Sequence, residues 1–202
     1  MTMSDLSLER PATAAPNRFT QAELGWEAWI DPVPEEALTE RQKQGLVDIA
    51  RTKSPYFRLL AHDPDILRTR TLADKDIFYN TKAGLPRAER ELAAAAVSRS
   101  NGCIYCASVH ARFASTFSKR RDDVQRLLDE GTGADLGPLW NAVVEASVAL
   151  TATPIAFGPE HVHKLRDLGL DDLAIADLIH AASFFNWANR LMLSLGEPEA
   201  KA

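Results

Sequence analysis

The chain has 202 residues, 46% hydrophobic and 25% charged, enough for one well-packed core or two small domains that share one. Its 28 acidic and 23 basic residues leave a net charge of -5, which gives no broad electrostatic reason to bind nucleic acid or an anionic membrane. Small molecules or other proteins are the expected partners. No stretch approaches the apolar length that crosses a bilayer, and the N-terminus lacks the apolar run of a signal peptide, so a cytoplasmic location is expected.

Residues 1–18, rich in Pro, Ala and polar residues, read as a flexible tail ahead of a single domain over 19–202. FTQAELGWEAWIDPVP follows, with Trp26 and Trp29 ahead of a proline turn. It reads as a short apolar clip on the main body, its tryptophans packed inward. From Thr39 the punctuation is helical. Ser54-Pro55 and Asp63-Pro64 each place a capping side chain before a proline, and Leu85-Pro86 marks a start without a polar cap. The pattern predicts helices over 39–52, 55–61, 64–79, 86–100, 102–117, 119–130, 138–152, 159–168 and 171–195. No convincing alternating strand appears, so the fold class is all-α. Glycines at 84, 102, 131, 133 and 169 break the helices and favour antiparallel neighbours.

The stretch NGCIYCASVH, residues 101–110, holds the chain's two cysteines three positions apart and a histidine four positions after the second. On a helix advancing about 100° per residue, Cys106 and His110 fall roughly 60° and 20° from Cys103, on one narrow face. Tyr105 points to the opposite side and reads as core. A thiol must lose its proton before it attacks. His110, one turn after Cys106, is placed to take that proton, and a helix starting at Gly102 would stabilise negative charge on Cys103 and less strongly on Cys106. Cys103 is near enough to resolve a sulfenic acid formed on Cys106. The preceding helix, PRAERELAAAAVSRS, offers Glu91 on a face of small residues (Ala94, Ala95, Ser98), where a carboxylate could hold the imidazole and make it a better base. Taken alone, Glu91 reads as an ordinary acidic residue near a helix start. Spacing alone leaves a redox pair, a zinc site with Glu91 as fourth ligand, and simple packing all open.

A Glu, a CxxC twelve residues later and a histidine four after the second cysteine, in an all-α chain, resemble the alkyl hydroperoxidase D (AhpD) branch of the carboxymuconolactone decarboxylase family. The text LPRAERELAAAAVSRSNGCIYCASVHARFA is similar to its peroxidase-related members. With DKDIFYNTKAGLPRAERE upstream and FFNWANRL near the C-terminus, the likeness spans most of residues 40–195. The resemblance implies an AhpD-like multi-helical bundle with its CxxC core at about 64–130. It also implies a thiol-dependent alkyl hydroperoxide reductase, an antioxidant peroxidase. In the family pattern Cys106 attacks the peroxide, Cys103 is its disulfide partner, and Glu91 and His110 relay the proton. No metal, haem or other cofactor is implied. An external dithiol, such as a lipoyl-bearing protein, would restore the thiols, and the protein would be a homo-oligomer. The better-characterised members carry a second histidine between the cysteines, where this chain has Tyr105. The rival readings on the same residues are a zinc-binding module, a general disulfide oxidoreductase and a non-redox member such as a decarboxylase, a branch that does not rely on a CxxC pair.

Of the other histidines, His161 and His163 sit two apart and are expected to be exposed, His62 belongs to a turn, and His180 reads as a hydrogen-bonded core residue of an apolar helix. Asn186, Asn189 and Arg190 form a polar cluster that needs partners if buried, at helix ends or a subunit interface. KRRDD, residues 119–123, reads as a solvated helix start.

Overall fold

Helix starts follow the caps and prolines of the sequence. The computed structural model describes residues 16–82 and 84–200, so the expected tail, but for its last three residues, lies outside the described residues. Helix α1 (Glu40–Leu46) opens on a capping box, with Thr39 accepting from the Gln42 N–H and the Gln42 side chain returning to the Thr39 backbone. Helices α2 (Pro55–Leu60) and α3 (Pro64–Tyr79) begin on proline, the second with Asp63 accepting from the Ile66 N–H. Then follow α4 (Arg87–Ser100), α5 (Ile104–Ser118), α6 (Arg121–Glu130), α7 (Pro138–Thr151), α8 (Pro159–Asp167) and α9 (Asp172–Leu195). The all-α reading holds.

The core is organised around α4. Every residue from Leu92 to Val97 is fully buried, because α5, α7 and α9 all pack against this one helix. Four consecutive alanines make that close approach possible, and a larger side chain at Ala95 would overpack it at a cost of about 1–3 kcal/mol. A second, smaller apolar cluster joins Val33, Leu38, Leu46, Ala61 and Leu67 beneath α1 and α3.

Three expectations need correction. The helix predicted over 39–52 stops at Leu46. Val47 takes φ 65, and the Asp48 side chain accepts from the Ala50 N–H to start a separate 3-10 turn, Ile49–Lys53. A local side-chain bond has outcompeted continuation of the helix. Secondly, the terminal segments form a two-stranded antiparallel ribbon, β1 (Leu24–Ala28) with β2 (Gly196–Ala200), which pairs Leu24 with Ala200 and Trp26 with Pro198. Leu24 and Trp26 face the core from β1. Gly196 cannot be replaced there: a Cβ would lie 2.2 Å from the Glu27 carbonyl oxygen and 2.4 Å from the Trp26 ring. Only Trp26 of the two tryptophans packs inward, since Trp29 is 54% exposed. Thirdly, the helix predicted from residue 102 starts at Ile104, which bears on the cysteines.

Candidate active site

Helix α4 ends on a Schellman-type stop that places the first cysteine. Asn101 closes the helix, Gly102 takes φ 78, a conformation that favours glycine, and the Cys103 N–H donates back to the Ser98 carbonyl at 2.9 Å. Cys103 is therefore the N-cap residue of α5 and lies outside the helix, while Cys106 sits in its first turn. The shared helical face anticipated for both cysteines is thus built from a capping residue and a helical one. Both cysteines are buried.

Glu91 on α4 and His110 on α5 meet inside the protein. The His110 Nδ1 lies 2.6 Å from Glu91 Oε2, and Glu91 Oε1 accepts from Arg87 Nε at 3.1 Å. Glu91 is 1% exposed, so it is no ordinary helix-start carboxylate; a charge so deeply buried is tolerable only when paired. The imidazole is held by the edge of Phe185, centroids 3.9 Å apart, and by Phe78 at 5.3 Å. With Nδ1 committed to the carboxylate, Nε2 is the nitrogen left to exchange a proton.

The Cys106 thiol is hydrogen-bonded to Cys103. That bond, burial, and negative charge on Cys103 push its pKa well above the usual thiol value, against an Asn189 hydrogen bond and the charge of Arg70, which pull it down. The start of α5 does not by itself make Cys106 a thiolate. The proton must be taken.

The two thiols face different surroundings. Cys103 lines a narrow pocket walled by Ile104, Tyr105, Trp26, Met192 and the β2 residues Gly196–Pro198, whereas Cys106 does not line it. Tyr105 is half-buried against the core and also forms pocket wall, and burial raises its phenol pKa. Among the described residues, no group of three or more His, Cys, Asp or Glu is arranged to hold a metal ion.

Residues 64–149, which contain α3 to α6 and nearly all of α7, match the carboxymuconolactone decarboxylase family. The fold of the chain is AhpD-like. A solved peroxidase-related protein from Ralstonia eutropha JMP134, described as an alkylhydroperoxidase AhpD core, is 23% identical, with 83% of this chain and 90% of that one covered at a TM-score of 0.70. A peroxidase-related protein from Silicibacter sp. TM1040 is 21% identical, with 94% and 96% covered at 0.67. A debrominase solved in complex with 2,3,4-tribromopyrrole is 17% identical, with 83% and 89% covered at 0.62. No curated protein sequence matches.

A second polar cluster borders the thiols. Asn101 Nδ2 donates to Thr151 Oγ1, Asn189 Oδ1 and Asn186 Oδ1 at 3.1, 3.2 and 3.3 Å, and Asn189 Nδ2 donates to Ser98 Oγ at 3.0 Å. The cluster expected around Asn186, Asn189 and Arg190 therefore bonds helix ends, with Arg190 donating back to Asn186. His180 is exposed, contrary to expectation, because the buried stripe of α9 runs through Ala174, Leu178, Ala181 and Phe185 on the other side. His163 is exposed. His161 is half-buried and accepts from the Gly158 N–H at the start of α8. His62 reaches the Asp31 carbonyl at 2.9 Å. Within KRRDD, Arg120 is more than a solvated charge: it lies 3.8 Å over the Trp140 ring and donates to the Leu136 carbonyl. Sequence reading missed Arg87, Phe78, Phe185, Asn101 and Arg70 as neighbours of the site. Arg87 alone carried a readable signal, four residues before Glu91.

Proposed function

We propose that this protein is a thiol-dependent hydroperoxide reductase. The observation that carries the reading is the buried Glu91–His110 hydrogen bond, one helical turn from a thiol that is itself hydrogen-bonded to a second thiol. His110 Nε2 takes the Cys106 proton, and the thiolate sulfur attacks the peroxide and breaks the O–O bond. Cys106 becomes a sulfenic acid; the leaving alkoxide takes the proton held by His110 and departs as alcohol. The Cys103 sulfur then attacks the sulfenic sulfur, the Cys103–Cys106 disulfide forms, and hydroxide leaves with the Cys103 proton as water. Glu91 holds the imidazole through the cycle and offsets the charge of the transient imidazolium. An external dithiol returns two electrons and two protons, and a lipoyl-bearing protein is one form of it. Self-association belongs to the same reading. The exposed rings of Tyr79, Phe113 and Phe117, gathered around the Arg87 guanidinium, offer a surface for it, and light scattering of the purified protein tests it.

The deciding experiment mixes pre-reduced protein with one equivalent of cumene hydroperoxide or hydrogen peroxide, counts thiols and maps disulfides by mass spectrometry. Both thiols disappear as an intramolecular pair, Cys106→Ser abolishes turnover, and Cys103→Ser traps an oxidised Cys106. Persistence of both thiols refutes the mechanism, and reduction of disulfides without consumption of peroxide makes the protein a general disulfide oxidoreductase instead.

A further inference from the structure

The buried face of α3 carries Leu67, Arg70, Thr71 and Phe78. Leu67 and Phe78 are core residues, but packing does not explain a guanidinium between them. The Arg70 side chain is 8% exposed and lies among the rings of Phe184, Phe57 and Tyr56, at 5.3, 5.7 and 6.0 Å. A buried guanidinium needs acceptors for its N–H groups. Here Nε and Nη1 have no hydrogen-bond partner among the described residues, and the Asp74 carboxylate stands 3.6 Å from Nη1, too far for a hydrogen bond. The surrounding rings lead into the thiol site. Phe184 packs on Phe185, whose edge meets His110, and Tyr56 packs on Trp26, which walls the Cys103 pocket.

We propose that Arg70 is a positioning residue for the thiol chemistry, its guanidinium serving as the counter-charge of the Cys106 thiolate. The groups around Cys106 come from five helices: Cys103 and His110 with α5, Glu91 behind His110 on α4, Asn189 on α9, Tyr56 on α2, and Arg70 with Asp74 on α3. His110 can remove the proton, yet it loses its own charge once it passes that proton on. Of these groups Arg70 alone stays positive throughout, so it stabilises the sulfur anion after the proton has gone. Its charge pulls the Cys106 pKa down against burial and Cys103, and the buried Tyr56 phenol feels both the guanidinium and the two thiols. The unspent N–H donors of Arg70 are then a reserve that the ionised site uses.

The inference rests on Cys106 being the reacting thiol, and its test needs no peroxide. In a Cys103→Ser background, the rate of Cys106 alkylation by iodoacetamide is followed against pH, with the site assigned by mass spectrometry. Arg70→Met moves the profile to higher pH by roughly one unit, about a tenfold slower reaction below the transition, and Arg70→Lys restores most of it. Asp74→Asn, which keeps the guanidinium and removes its competing carboxylate, moves the profile to lower pH. Superimposable profiles for Arg70→Met and the parent overturn the assignment. Should Arg70→Met fail to fold by circular dichroism, Asp74→Asn decides, and a profile that does not move to lower pH overturns it. Failure of the parent to consume peroxide, with these shifts intact, sinks the peroxidase reading and leaves Arg70 in its role.

Discussion

Glu91, His110 and Arg87 form one buried polar cluster near the start of α4; Asn101, Thr151, Asn186, Asn189 and Ser98 form another near its end. The two differ in what they leave over. The amides and hydroxyls of the second donate to and accept from one another, so the cluster pins α4 to α7 and α9 without carrying charge. The first pairs full charges and leaves one imidazole nitrogen outside the pair. Only the charged arrangement can hold a proton and then release it, and Asn189, bonded to Ser98, Asn101 and Cys106, is where the two meet. Burial of polar groups is thus solved twice, once with neutral amides and hydroxyls and once with paired charges.

The contrast can be broken residue by residue. The largest effect is expected from Glu91→Gln, which keeps shape and removes charge: peroxide turnover falls by about 10²–10⁴-fold in a coupled assay, with the fold retained by circular dichroism. Asn189→Ala attacks the neutral cluster, leaves Asn101 and Ser98 short of partners in the core, and lowers stability to urea by roughly 2–4 kcal/mol. Alkaline titration reads the ionisable groups packed beside the clusters. The folded pKa of Cys106 is raised, and burial pushes the Tyr56 phenol up to about 12, so each group contributes stability that is complete below its unfolded pKa and is lost as pH rises toward the folded one. Stability therefore declines above about pH 8.5, by up to roughly 1.4 kcal/mol per pH unit per group, and Cys106→Ser removes the thiol part of the slope. The neutral cluster adds nothing to it. The smallest effect belongs to Arg87→Met, which spares the Glu91–His110 bond and slows turnover by about three- to tenfold.

Helix starts were legible because caps and prolines act within a few residues. The ribbon was not, since GEPEA has no alternation of its own and becomes a strand by pairing with a segment from the opposite end of the sequence. The Glu91–His110 pair was half legible. Helical phase put His110 in line with the cysteines, but the burial of Glu91 follows from the way α5 packs on alanines, which composition does not reveal. Cys103 was assigned to the helix because a positive φ at Gly102 leaves no mark beyond the glycine itself. Arg70 was invisible for a different reason. An arginine in a polar helix reads as surface, and only its period with Leu67, Thr71 and Phe78 hints otherwise.

The ribbon also sets an order of events during synthesis. Among the described elements β1 is made first and its partner β2 last, and the wall that Gly196–Pro198 add to the Cys103 pocket follows Cys106 by about ninety positions. While the chain is being made, α4 and α5 can bring Glu91 and His110 together before that wall exists. The surface beside the first thiol is thus completed by the last described element to leave the ribosome.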